Sequence, residues 1–134
     1  ESGATARTSL GLAIGTDVQA YDVDTLKANT ADVLTAGFAG AVYDAGTKSS
    51  GTFTLNEANG NLQKCVNGGA FTLAPSTNST SIVLQVTNNV SAGAVTTSGW
   101  TKVTGSFTTT NGDDFLCYCT KVGTFSHLHI QALQ

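Results

Sequence analysis

Charge is scarce in this chain: Asp, Glu, Lys and Arg make up 11% of 134 residues, against roughly 25% in ordinary soluble domains. Six basic and nine acidic side chains leave a net charge of −3, and the basic ones form no cluster. Neither a phosphate backbone nor an anionic membrane is offered an electrostatic footprint, so nucleic acid is not an expected partner. Long apolar runs are missing as well. None approaches the roughly 20 residues that cross a bilayer, and no basic stretch followed by an apolar one opens the chain, so membrane insertion is not expected. Methionine is absent and the first residue is Glu1; the expectation is a piece cut from a longer chain. Cysteine occurs three times, at Cys65, Cys117 and Cys119. An odd set does not read as a disulfide framework, and the expectation is buried free thiols in a chain made in a reducing cytosol.

Catalytic sets are missing too. Glu1 and Glu57 are the only glutamates. Ser126 and His127 are sequence neighbours, which denies them triad geometry, and no G-x-S-x-G or phosphate-binding loop occurs. Asp113 and Asp114 are adjacent, so on a strand they face opposite ways and do not flank one bond. The expectation is no enzymatic activity and no cofactor, with the Asp pair serving a turn after Asn111-Gly112.

What is abundant is Gly, Thr, Ser, Ala and Asn. The length suits one domain with a core of its own. Residues 1–36 read as a collar of short helical turns, Thr5 to Gly11 and Asp22 to Ala28, each too short to stand alone in water and so expected to pack on a neighbouring copy. Residues 37–134 read as short strands: Phe38 to Asp44, Gly51 to Leu55, Asn61 to Val66, Ala70 to Ala74, Ser81 to Thr87, Ala94 to Thr97, Trp100 to Thr104, Phe115 to Lys121 and Ser126 to Ala132. Asn59-Gly60, Asn67-Gly68 and Asn111-Gly112 lie between such runs and suit tight hairpins. The fold expected is mainly β, an antiparallel β-sandwich or jelly roll preceded by the helical collar.

Alternation assigns faces. Ile82, Leu84 and Val86 share one side, and Phe115, Cys117 and Cys119 share another, with Leu116, Tyr118 and Thr120 opposite them. Both sides of the Phe115 to Lys121 strand are partly apolar, which predicts cover from the core on one face and from a second subunit on the other. More apolar surface than one small sandwich can hide predicts a homotrimer together with the resemblance that follows.

Ala6-Arg7-Thr8-Ser9-Leu10-Gly11-Leu12, followed by Gly15-Thr16-Asp17-Val18-Gln19-Ala20-Tyr21-Asp22, resembles a segment recurrent in bacteriophage and prophage tail-fibre proteins, between shaft and distal domain. Asn59-Gly60-Asn61, Asn67-Gly68-Gly69-Ala70, Thr108 to Phe115 and the close His129-Ile130-Gln131-Ala132-Leu133-Gln134 are similar to the C-terminal domains of such proteins. The resemblance implies a homotrimer on the virion, made in the host cytoplasm, whose β-rich tip touches a host-surface receptor and other virion proteins. Neutral hydroxyl and amide side chains and a single proline suit a protease-resistant assembly that meets glycan through hydrogen bonds. Two other readings remain: a capsid decoration or head-fibre protein that binds the shell, and a secreted carbohydrate-binding module acting as a monomer. Asn78-Ser79-Thr80 and Asn89-Val90-Ser91 fit the N-glycosylation pattern and matter only for the secreted one.

Five residues are candidate sites. His127 and His129 point the same way on a strand, so three chains about an axis would offer six imidazoles to one transition-metal ion. The pair resembles His-x-His elements of needle-like fibre tips, and its plainer reading is two polar side chains on an exposed or inter-subunit face. Trp100, the only tryptophan, is a stacking platform for sugar or a core residue. Asn111 and Asp113 are candidate ligand contacts on the loop before the Phe115 strand.

Overall fold

The computed structural model describes residues 10–11 and 39–133, and the expected helical collar lies outside them apart from the turn at Leu10 and Gly11. The chain divides into two units between Phe38 and Ala39. The second is built of strands: β1 Tyr43–Lys48, β2 Thr52–Thr54, β3 Leu62–Asn67, β4 Phe71–Ala74, β5 Thr80–Asn88, β6 Val95–Thr97, β7 Lys102–Thr104, β8 Asp114–Val122 and β9 Phe125–Ala132. Each overlaps one of the runs read from sequence.

Their pairing differs from the expected sandwich. β1, β3 and β5 are parallel neighbours in one sheet, and β2, β4 and β6 are parallel neighbours in a second. Tyr43 pairs with Gln63 and Gln63 with Leu84, while Phe53 pairs with Leu73. The chain therefore winds as a β-solenoid, each coil of about 20 residues laying one strand on each sheet and stacking on the coil before. β8 and β9 then form an antiparallel hairpin that adds to β5, and β7 closes the far edge parallel to β9, giving the order β1-β3-β5-β8-β9-β7.

Of the Asn-Gly glycines, Gly60 and Gly112 do take positive φ, at 89° and 87°, but in turns between coils rather than hairpins, and at Asn67-Gly68 close packing explains the glycine. Gly68 does not adopt positive φ. A Cβ there would fall 2.4 Å from Thr47 Cγ2, and one on Gly69 would fall 2.8 Å from Ser49 O, both atoms of the preceding coil. These positions are small because stacked coils approach closely, not because the chain reverses. The preceding Asn67 turns its side chain inward instead. A tight reversal of the sheet joins Val122 to Phe125 through Gly123-Thr124, where Gly123 has φ 60° and, among the described residues, only glycines take a positive φ. A glycine at the first central position is what a type II′ turn requires.

Inside, the two sheets share one core. Leu55, Phe71 and Leu73 meet Cys65, Ile82, Leu84, Val86, Phe115, Cys117, Leu128 and Ile130, with Phe53, Val95 and Trp100 packed at the rim. The alternation read in β5 and β8 is the alternation observed: Ile82, Leu84, Val86, Phe115, Cys117 and Cys119 are all buried. Phe107 adds an edge-to-face contact with Phe115 at 5.1 Å between ring centroids. Among the described residues one buried side-chain polar atom is left without a partner, Gln63 Oε1, although the same amide donates to Asn56 O at 2.7 Å and Gly60 O at 2.8 Å.

Candidate functional site

The residues singled out from sequence do not converge. Trp100 is half-buried against the core and donates its indole N–H to Leu73 O at 2.9 Å. It borders a crevice of about 10 Å³ with Leu55, Pro75, Ile82 and Cys119, room for about one water and no sugar ring. Asn111 and Asp113 lie at the other end of the sheet. The Asp113 carbonyl accepts from Asn88 N–H at 2.9 Å at the last residue of β5, whereas the crevice beside Trp100 includes Thr80, its first. The full length of a nine-residue strand separates them.

The paired aspartates serve the local chain. Asp113 Oδ2 accepts from the Thr108 hydroxyl and Asp114 Oδ1 from the Thr87 hydroxyl. Threonine hydroxyls are their side-chain partners because Thr108 and Thr87 stand beside the turn.

His127 and His129 do share the outer face of β9, with ring centroids 6.4 Å apart. His127 Nε2 and Thr104 Oγ1 are 2.5 Å apart, and His129 tilts against Tyr118 at 6.1 Å. Among the described residues no group of three or more His, Cys, Asp or Glu side chains is arranged to hold a metal ion. No helix among them is long and apolar enough to cross a membrane.

Cys65, Cys117 and Cys119 are free and buried. Burial pushes the Cys65 and Cys119 thiols up to about 12 and raises Cys117 further, so none is a nucleophile or a thiolate ligand near neutrality.

A groove that the sequence did not suggest lies at the opposite edge of the sheet. It measures about 200 Å³ and is lined by Asp44, Lys64, Cys65, Val66, Gln85 and Thr87. Lys64 is in register with Gln85, and Val66 with Thr87, on the outer side of β3 and β5. Cys65 buries its side chain on the inner side, which leaves its main chain as the floor. Asp44 closes one end because β1 bulges. Asp44 pairs with Lys64 and Thr47 with Val66, so β1 carries one extra residue, with Gly46 at φ 69°. The bulge aims the carboxylate: Asp44 Oδ1 accepts from Gly46 N–H at 2.8 Å and Oδ2 lies 3.1 Å from Lys64 Nζ. The Gly46 amide, followed by Lys64, holds this carboxyl below the usual carboxylate range. These residues are about a coil apart in sequence, and only a search at the solenoid period would have grouped them.

Comparison with protein-family models, with curated proteins and with solved structures finds no match. The class that the coordinates define is a mainly β protein of solenoid architecture with an inserted hairpin.

Proposed function

We propose that this chain is a structural, non-enzymatic virion component, the distal part of a phage tail fibre, that works as a homotrimer in attachment to a host-surface receptor. The observation that carries the reading is the outer face of the β8–β9 hairpin. Val122 and Phe125 pair across it, as do Tyr118 and His129, and Leu116 with Gln131. Phe125 is 50% exposed, Tyr118 48% and Val122 67%. Across β5 and β3 the same row continues through Val83 and Leu62 without a formal charge. Exposed apolar side chains gathered on one sheet face, with Thr120 and His127 between the Val122–Phe125 pair and Tyr118, favour association over solvation on a low-charge protein.

Neutral hydroxyl and amide groups elsewhere suit a glycan receptor, as the sequence resemblance implies. A transition ion at the trimer axis through His127 and His129 belongs to the same proposal, since one chain supplies two imidazoles. Sedimentation equilibrium at low micromolar concentration is expected to give three times the subunit mass, and virion reconstruction is expected to place the chain at a fibre tip. A single subunit mass overturns the assembly, and density on the capsid shell overturns the fibre.

A further inference from the structure

We propose that the groove at the β1 bulge is a subsite for one neutral sugar ring, gripped through adjacent hydroxyls by the Asp44 carboxylate and bridged on its other side by Gln85. The inference deepens the attachment reading above and rests on it for its biological sense.

Size, charge and donor pattern each select that ligand class. A cavity of about 150 Å³ accepts a benzene ring and drug-sized pockets start near about 300 Å³; the groove, at about 200 Å³, matches a single six-membered ring carrying hydroxyls. Its two charges cancel, because Lys64 Nζ sits 3.1 Å from Asp44 Oδ2. An anionic ring would meet the carboxylate with the lysine already engaged, and a cationic one would meet the lysine. A neutral ring meets neither penalty.

The polar groups are complementary to a diol. An ionised carboxylate has about four acceptor positions, and Gly46 N–H and Lys64 occupy one on each oxygen. The remaining positions accept two neighbouring hydroxyls, in the bidentate manner that gives carboxylates their selectivity. Gln85 is exposed and supplies both a donor and an acceptor. Thr87 spends its hydroxyl proton on Asp114 and so offers only an acceptor, while Val66 gives the ring's C–H face an apolar contact. The carboxylate is fixed by the bulge before any ligand arrives, so little ordering remains to be done on binding.

The test is an amide NMR titration of the ¹⁵N-labelled full chain, in its native assembly, with methyl α-mannopyranoside, methyl β-galactopyranoside, N-acetylglucosamine and, as the anionic control, glucuronate. At least one neutral sugar is expected to shift the amides of Gly46, Lys64 and Gln85, and glucuronate is not. Asp44→Asn and Gln85→Ala are both exposed substitutions that leave the core intact. Asp44→Asn is expected to weaken binding by at least about tenfold, the loss of a hydrogen bond to a charged group, and Gln85→Ala to weaken it measurably. Absence of shifts at these amides for every neutral sugar overturns the proposal. So does unchanged binding in Asp44→Asn, or preference for glucuronate. Adhesion of the assembly to host cells separates the two readings. Undiminished adhesion by Asp44→Asn sinks the subsite and leaves attachment standing, whereas a chain found on the shell or as a monomer sinks attachment while the titration still reports on the groove.

Discussion

Asn67 and Asn88 sit in register on adjacent coils with their side chains bonded to each other inside the protein, Asn67 Nδ2 donating to Asn88 Oδ1 at 2.9 Å. Neither is more than 2% exposed. Asn67 also donates to Gly93 O at 2.9 Å and accepts from Gly93 N–H at 3.1 Å, and Asn88 donates to the carbonyls of Thr108 and Thr110 at 3.0 Å. The pair thus satisfies the main chain where two coils turn the corner between sheets, a role apolar residues cannot take.

Replacing Asn67 with Ala is expected to cost about 3 kcal/mol, because the Gly93 amide and carbonyl and one oxygen of Asn88 are left buried without partners. Urea denaturation of both proteins measures it. A loss within about 0.5 kcal/mol, the range of ordinary surface changes, would show that the corner readjusts.

Gly93→Ala is expected to be more damaging than its size suggests. The added Cβ would lie 2.2 Å from Ala70 N and 2.5 Å from Gly69 C, main-chain atoms of the coil beneath. Backbone, unlike the end of a flexible side chain, has nowhere to move, so the coils must separate and break the Asn67 contacts with them. Circular dichroism of the purified variant is expected to show loss of strand signal or a transition many degrees below the parent.

The thiols predict an alkaline limit to stability. Folding raises Cys65, Cys117 and Cys119 above their usual value through burial. Their stabilising effect is complete below the unfolded value near 9.0 and is lost as pH climbs toward the folded one. Above pH 9 each thiol contributes a fall of about 1.4 kcal/mol per pH unit. Denaturation midpoints between pH 8 and 11 read the slope, and a chain with all three changed to Ala should show a shallower one. At pH 8 the native thiols should resist a disulfide reagent that labels the unfolded chain at once.

Tyr118→Lys tests this outer face of the hairpin without touching the core, since the Tyr118 side chain points outward while Cys117 and Cys119 point in. The expected result is an unchanged circular dichroism spectrum with a single subunit mass by light scattering. A trimer that survives both Tyr118→Lys and Phe125→Lys would place the subunit contact on another surface.

Strand positions were legible because alternation is local. Ile82, Leu84 and Val86, or Phe115, Cys117 and Cys119, declare an inner face within a few residues. The first strand was read too early, at Phe38 to Asp44, because its apolar run, Phe38-Ala39-Gly40-Ala41-Val42-Tyr43, precedes the segment that pairs. The strand itself is Tyr43–Lys48, held by β3 despite little apolar character. Trp100 was read with two roles open; the bond from its indole N–H to Leu73 O and its place at the core rim are contacts made across 27 residues, beyond any local pattern.

Spacing, alternation and composition were enough to make this a low-charge β protein with three buried thiols, because each of those properties is written in neighbouring residues. Whether the strands ran antiparallel as hairpins or parallel as coils was settled by stacking: the Asn67 to Asn88 bond and the close approaches at Gly68, Gly69 and Gly93 exist only once one coil lies on another. The Asp44 groove is a product of the same stacking. Its walls come from β1, β3 and β5, which the solenoid makes neighbours although the chain separates them by a full turn.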